Sequence, residues 1–200
     1  MKNRLIAAIG TALAICVALP ASAITIEFNP SSQSVNVGST TTVDLVISGL
    51  GGGAAPSLGT FDLDIGFDSS ILSFNSATFG NQLDLFGLGD INSVTPGVGT
   101  INLFELSLES AADLDSLQAG AFTLATLSFT ALSNGSSALS ISVNALGDSI
   151  GDPLQADLVA GNINSIRNVN AVPEPSSLLL VGIGMLGMIP LAKRYRSRRA

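Results

Sequence analysis

Paired carboxylates are the side chains of this sequence whose spacing could support catalysis. Asp62 and Asp64 alternate with apolar residues in "GTFDLDIGFD", so they share one face of a predicted strand, about 7 Å apart from the rise per residue. Two carboxylates can hydrolyse a glycosidic bond when they flank it. The sequence puts no pair of acids in a pattern typical of a cleft. We therefore expect Asp62 and Asp64 to form a solvated acidic strand face, and we predict no catalytic residue.

A second pair of carboxylates, Asp148 and Asp152 in "GDSIGDP", could bind a metal ion. Oxygen ligands gathered in a tight loop suit calcium. The spacing does not match an EF-hand loop, and aspartate and glycine are also common in ordinary turns. The sequence therefore offers Asp148 and Asp152 as candidate calcium ligands, with a simple turn as the alternative, and it indicates no other cofactor.

The residue types that are missing exclude several classes of enzyme. The chain has no histidine, and its single cysteine, Cys16, lies near the N-terminus. Serine–histidine catalysis, histidine–zinc sites and, in the rest of the chain, cysteine chemistry are therefore excluded. Residues 24–171 also lack tryptophan and tyrosine, so the usual aromatic platforms for sugar rings are missing.

The charge of residues 24–171 narrows the choice of partners. This segment holds fourteen acidic residues and one basic residue, Arg167, which gives a net charge of −13, whereas the whole chain carries −7. Such a surface repels nucleic-acid backbones and anionic lipid headgroups. Divalent cations and basic protein surfaces are the partners that the charge favours.

The N-terminus has the layout of a secretory signal peptide over residues 1–23. Lys2 and Arg4 precede an apolar stretch, and the segment ends in "ASA". Small residues at Ala21 and Ala23 are typical of a cleavage site, so we predict cleavage after Ala23.

Short alternating segments separated by turn residues predict an all-β domain over residues 24–170. About nine strands in that length are typical of a two-sheet β-sandwich with jelly-roll character. One stretch, "ESAADLDSLQAG", could be helical. The predicted strands are "ITIEF", "TTVDLVISGL", "GTFDLDIGFD", "ILSFNSATF", "TINLFELSL", "FTLATLSFTAL", "ALSISVNAL", "PLQADLV" and "GNINSI". The alternation predicts these core residues: Phe61, Leu63, Ile65, Phe67, Leu127 and Phe129.

Residues 172–200 have a three-part layout. The motif "VPEP" at 172–175 is followed by an apolar segment at 177–192 and a basic tail at 193–200. The uncharged run covers about 22 Å as a helix, which is short for a bilayer core of roughly 30 Å. The basic tail should stay cytoplasmic. We therefore predict a transmembrane helix that anchors the chain with its folded domain outside.

This C-terminal layout resembles the PEP-CTERM sorting signal of Gram-negative bacteria. The resemblance implies that exosortase, a membrane-embedded transpeptidase, recognises Pro173, Glu174 and Pro175. It also implies export through the inner membrane, transient anchoring there, and release to the cell surface or the extracellular space.

The segments "FNPSSQSVNVGSTTTVDLVISGL", "GTFDLDIGFDSSILSFNSATFG" and "LQAGAFTLATLSFTAL" resemble, in order, the signatures of cohesin domains. The resemblance covers about residues 24–168 and implies a jelly-roll sandwich that binds rather than catalyses. We therefore expect a non-enzymatic binding or structural protein of the extracellular polysaccharide or biofilm matrix. The alternatives are a hydrolase acting on that polysaccharide through paired carboxylates, and a scaffold module that binds dockerin-bearing proteins.

Overall fold

Residues 23–167 form a β-sandwich in the computed structural model, and the structure describes these residues. The predicted all-β fold is confirmed. Eleven strands and one short helix make up this part of the chain. Their bounds are β1 Ile24–Asn29, β2 Ser32–Asn36, β3 Thr40–Ser48, β4 Leu58–Gly66, β5 Leu72–Phe79, β6 Ile91–Pro96, β7 Thr100–Leu106, α1 Ala111–Leu117, β8 Ala121–Ala131, β9 Gly135–Asp148, β10 Ala156–Val159 and β11 Gly161–Ile166.

The strands form two mixed sheets. The five-stranded sheet has the order β10-β1-β3-β8-β5, and the six-stranded sheet has the order β2-β11-β9-β4-β7-β6. Two pairs are parallel, β1 with β10 and β2 with β11. The first and last segments of the domain therefore run side by side and change sheets together.

The core lies between the inner faces of the two sheets. In β4 the apolar residues Phe61, Leu63 and Ile65 are fully buried, while the residues between them are half-exposed. Leu127 and Phe129 of β8 are also fully buried. The period-two pattern thus predicts the inward face correctly, because successive side chains of a strand point to opposite sides.

Phe67 is the one predicted core residue that is only partly buried. It follows the last residue of β4, and its ring packs in a T-shaped arrangement with that of Phe129, with the ring centres 5.3 Å apart. The alternation therefore identifies its side of the strand, but the strand ends before the side chain can be enclosed.

The prediction of about nine strands misses β2 and β6. Both are edge strands that lie mostly exposed, and their sequences, "SQSVN" and "INSVTP", are largely polar. The helix α1 falls inside the one stretch that the sequence offers as helical. Ser110 caps it, since its side chain accepts a hydrogen bond from the backbone N–H of Asp113.

The two termini of the domain lie at opposite ends of the sandwich. Ile24 begins β1 beside Ala156, close to the start of β8. The N–H of Arg167 donates to Asn134, in the loop that follows the end of β8. We call the first end the helix end, because α1 and the loops 49–57, 80–90 and 149–155 lie there. We call the second the exit end.

Candidate functional site

Asp62 and Asp64 form a hydrogen-bonded cluster on the outer face of the six-stranded sheet. Asn102 of β7 donates its side-chain N–H groups to Asp62 at 2.6 Å and to Asp64 at 2.9 Å. Asn144 of β9 donates to the same two carboxylates at 3.1 and 3.0 Å. The register of β4 with β7 and β9 brings the four side chains together. We call them the outer cluster.

The outer cluster favours the charged form of Asp64. The hydrogen bonds from Asn144 and Asn102 lower the pKa of Asp64 below its usual value. A general acid for glycoside cleavage needs the opposite shift, since it must stay protonated at neutral pH. The geometry therefore suits Asp64 to accept hydrogen bonds or attract a cation.

Apolar side chains lie beside the outer cluster, towards the helix end. Phe104 and Leu106 follow Asn102 on the same face of β7, and Ile91 of β6 pairs with Leu106. The loop before β6 carries Phe86 and Leu88, which are 55% and 82% exposed. This face therefore combines acidic groups with the exposed Ile91, and the loop that leads into its edge strand β6 adds two exposed apolar side chains.

The inner side of the same sheet holds a buried carboxyl group. Glu105 is 1% exposed and faces inward, in phase with Ile101 and Leu103. Its Oε1 has no hydrogen-bond partner among the described residues. Burial raises the pKa of Glu105 to about 9, with further contributions from a hydrogen bond with Asp90 and from the charges of Asp90 and Asp84. The hydrogen bond from Glu105 in turn lowers the pKa of Asp90.

The candidate calcium ligands lie at the end of β9, where Asp148 is the last residue, and in the turn that follows, which contains Asp152. One oxygen of Asp148 accepts hydrogen bonds from the N–H groups of Ile150 at 3.0 Å and Asp152 at 2.8 Å. Asp148 thus closes the turn, as aspartate does in ordinary turns. Within residues 23–167, no three acidic side chains converge in an arrangement that could hold a metal ion. Calcium binding at this turn stays a prediction.

The remaining predicted residues lie at or beyond the limits of the described chain. Ala23 is the first described residue, whereas Ala21 and the sorting residues Pro173, Glu174 and Pro175 lie outside. The predicted transmembrane helix at 177–192 lies outside as well. Among the helices that the structure describes, none is long and apolar enough to span a bilayer.

The outer face of the five-stranded sheet differs in composition from that of the six-stranded sheet. Most side chains on this outer face carry hydroxyl groups. Strands β3, β8 and β5 align them in rows across the sheet. Asp44 is the one acid in these rows, and it accepts a hydrogen bond from Thr126 at 2.6 Å. The rows are Thr40–Thr130–Ser73, Thr42–Ser128–Ser76 and Asp44–Thr126–Thr78. We call this surface the hydroxyl face.

A groove of about 340 Å³ lies at the exit end, between the edges of the two sheets. Phe67, Phe74, Val98 and Leu132 line it, and no carboxylate is among its lining residues. The groove is therefore not a site where paired acids could act on a substrate.

Sequence reasoning missed Asn102, Asn144 and Glu105. No sequence signal identifies the two asparagines, because their role depends on cross-strand register. Glu105 does have a signal: in "TINLFEL" it stands where the alternation of Ile101 and Leu103 calls for an apolar residue. A charged residue in the inward phase of a strand indicates a buried polar site.

Comparison with known proteins identifies the C-terminal segment and the fold. Residues 171–199 match the family model of the PEP-CTERM protein-sorting motif. No curated protein matches the chain.

Solved cohesin structures match the sandwich. The cohesin–dockerin complex Coh-OlpA from Clostridium thermocellum matches with a TM-score of 0.58 and 16% identity, over 72% of this chain and 99% of that chain. A non-cellulosomal cohesin from Archaeoglobus fulgidus matches with a TM-score of 0.56 and 15% identity, over 74% and 95%. CaCohA2 from Clostridium acetobutylicum matches with a TM-score of 0.56 and 22% identity, over 72% and 91%.

These matches define the class of the protein as a cohesin-like β-sandwich followed by a PEP-CTERM sorting motif. The structural identities are low, so they establish the fold and not the partner.

Proposed function

We propose that this protein is an exported, non-catalytic binding module of the extracellular matrix, sorted by exosortase, which binds a dockerin-type protein partner through the outer face of its six-stranded sheet. The observation that carries the proposal is the combination of a cohesin-like fold with the outer cluster and the apolar side chains beside it. The similar C. thermocellum structure is a cohesin–dockerin complex, which supports a partner of that kind.

The sorting step rests on the matched motif, which contains Pro173, Glu174 and Pro175. Proline on both sides of Glu174 disfavours regular secondary structure there, so an enzyme at the membrane can bind an extended backbone. Arg167 leaves the sandwich at the exit end, opposite the helix end. The proposed route is export in a Gram-negative bacterium, transient anchoring in the inner membrane, and release.

The sorting proposal is tested by Glu174→Ala in a strain with its own exosortase. We expect export to continue and the variant to stay in the inner membrane with its C-terminus uncleaved. Ser177→Ala, just outside the motif, serves as the matched control and should be processed normally. The measurement is the mass of the protein in each fraction. Normal processing of Glu174→Ala, or released protein that still carries "KRYRSRR", would contradict the proposal.

The proposal that the partner binds to this face rests on the charge of the face and on its exposed apolar surface. Asp62 and Asp64 are held by Asn102 and Asn144, so their positions are fixed before a partner arrives. Preorganised groups bind with a smaller loss of conformational entropy. In a segment of charge −13, a partner with basic side chains and an apolar patch is complementary to this face.

The rival function, hydrolysis of a polysaccharide, has less support in the geometry. The pKa of Asp64 is lowered, and the one carboxyl group with a strongly raised pKa among the described residues, Glu105, is buried away from any substrate. A retaining or inverting glycosidase needs an accessible acid beside a second carboxylate. A binding module shows no turnover of matrix polysaccharide, and turnover that is lost in Asp62→Asn or Asp64→Asn would favour the hydrolase.

The partner is identified by capture from the matrix of the producing bacterium. We expect the wild-type protein to retain a dockerin-bearing protein, identified by mass spectrometry, and Phe86→Ser/Leu88→Ser to retain at least tenfold less. Thr42→Asn/Thr78→Asn on the hydroxyl face is the matched control and should retain as much as wild type. Equal capture by both double variants, or capture of no dockerin-bearing protein, would contradict the proposed partner.

Matrix polysaccharide is a second candidate ligand, favoured by the hydroxyl face. The rows of hydroxyl groups across β3, β8 and β5 offer neutral hydrogen-bond donors and acceptors on a chain that is otherwise strongly acidic. If the hydroxyl face binds polysaccharide, Thr42→Asn/Thr78→Asn lowers retention on purified matrix polysaccharide, whereas Phe86→Ser/Leu88→Ser does not.

A further inference from the structure

The buried Glu105 lacks a positively charged partner among the described residues. Its carboxyl group lies on the inner side of β7, opposite Phe61 of β4, and is 1% exposed. Burying a carboxylate is costly unless a cation, a proton or several hydrogen bonds compensate for it. One of its two oxygens has no hydrogen-bond partner within residues 23–167. Arg167, the single basic residue of that range, lies at the exit end.

The nearest charged groups are themselves acidic. Asp90, just before β6, shares a hydrogen bond with Glu105, and the charge of Asp84 also acts on Glu105. The loop that contains both aspartates is folded around them. Gly89 donates its N–H to Asp84 at 3.0 Å, and the side chain of Asn92 donates to Asp90 at 2.8 Å. Three acids therefore lie near one end of the six-stranded sheet with no cation beside them in the described chain.

We propose that Glu105 and Asp90, with Asp84 beside them, form a calcium-binding site between β7 and the loop that leads into β6. The buried oxygen of Glu105 that has no partner in the described chain is the observation that points to a ligand. Two carboxylates supply the charge, and backbone carbonyls of the loop and water complete the ligand set that calcium takes in proteins. Without calcium, Glu105 keeps its proton, since burial raises its pKa to about 9. Calcium takes the place of that proton, so its binding releases a proton.

Calcium fits these residues better than magnesium. Calcium accepts six to eight oxygen ligands in irregular geometry, whereas magnesium demands a near-ideal octahedron and keeps most of its water. The described side chains by themselves do not form a cage of three acids, so the site depends on loop carbonyls and water. We therefore expect a dissociation constant of about 10⁻⁴–10⁻³ M, the range of extracellular calcium modules.

The site differs from the turn at Asp148 and Asp152, and it is independent of the proposed partner. Asp148 already accepts two backbone hydrogen bonds, while the buried oxygen of Glu105 accepts none from the described residues. When bound, calcium links Asp90 to Glu105 where the loop meets β6, and Phe86 and Leu88 lie outside the site.

The test is calcium titration of the full chain, purified in detergent after chelator treatment. Isothermal calorimetry should show one calcium site, and calcium should raise the melting temperature by several degrees more than magnesium at equal ionic strength. Glu105→Gln, which keeps the shape of the side chain, should weaken calcium binding at least tenfold. Asp90→Asn is a second variant, in case Glu105→Gln does not fold, and should do the same.

Two controls locate the site. Asp157→Asn removes one charge from an exposed position of β10 and should keep the calcium-specific shift. Asp148→Asn should keep it too. Equal shifts with calcium and magnesium would show screening of charge only and would overturn the proposal. So would a calcium-specific shift that persists in both Glu105→Gln and Asp90→Asn, or one that disappears only in Asp148→Asn.

Discussion

Two pairs of carboxyl groups lie on opposite sides of the same six-stranded sheet, and the pKa values of Asp64 and Glu105 shift in opposite directions. Asp62 and Asp64 are on the outer face and accept hydrogen bonds from the side-chain amides of two asparagines. These bonds lower the pKa of Asp64. Glu105 is on the inner side against Asp90, and its pKa is raised to about 9. Phe61 of β4 pairs with Glu105 of β7, so the two environments are only one residue apart along the strands. The direction in which the pleat points a side chain therefore decides whether its carboxyl group is exposed to solvent or buried.

The largest predicted effect is the pH dependence that comes from Glu105. In the unfolded chain this group titrates near its usual value of 4.5, whereas in the folded protein it keeps its proton up to a pKa of about 9. Between these values the folded state holds one more proton than the unfolded state, so stability falls as the pH rises. In chelator, we expect wild type to lose on the order of 1 kcal/mol per pH unit relative to Glu105→Gln.

The measurement is urea unfolding of both proteins between pH 5 and 9. Parallel stability curves would show that Glu105 is ionised inside the folded protein, which would remove the contrast between the two carboxyl pairs.

The next largest effect is the loss of stability when a core phenylalanine is truncated, which should depend on how deeply the side chain is buried. Phe61→Ala should cost about 3–5 kcal/mol, because Phe61 is fully buried between the sheets. Phe67→Ala should cost less, about 1–2 kcal/mol, because Phe67 is partly exposed beside the groove. Chemical denaturation of residues 24–170 provides both values, and the circular dichroism of this fragment should show little helix. Equal losses would mean that the exit end is as tightly enclosed as the centre.

The smallest effect on stability should come from the outer cluster. Asp64→Asn removes a half-exposed charge, so its effect at pH 7 should be within about 0.5 kcal/mol. The lowered pKa means that Asp64 stabilises the fold above its unfolded pKa of 3.8 and that this contribution is lost as the pH falls. Wild type and Asp64→Asn should therefore converge in melting temperature below pH 4. A gap that widens in acid would contradict the assigned ionisation.

Most of the fold could be predicted from the sequence, because alternation is strong wherever a strand has one buried face. Residues 60–66 show this most clearly, and the helix at Ala111–Leu117 could be placed as well. The edge strands β2 and β6 could not, since a mostly exposed strand has little need of apolar residues. Their pairing is set by neighbours that are distant in sequence.

Only part of the candidate site could be predicted from the sequence. Asp62 and Asp64 could be placed on one face, but their partners Asn102 and Asn144 lie 38 to 82 residues away and are brought in by register. Glu105 could have been found from its phase in β7. The sorting motif could be recognised directly, because its order is local and needs no tertiary structure.

The most direct test of the proposed binding face compares the two carboxyl pairs by partner affinity. The partner recovered from the matrix is titrated, at pH 7 and constant calcium, against wild type, Asp62→Asn/Asp64→Asn and Glu105→Gln. We expect the outer double variant to lose at least tenfold in affinity because charge complementarity is lost, while Glu105→Gln should bind within about threefold of wild type. Unchanged affinity of Asp62→Asn/Asp64→Asn would contradict the claim that the outer face of the six-stranded sheet is the binding surface.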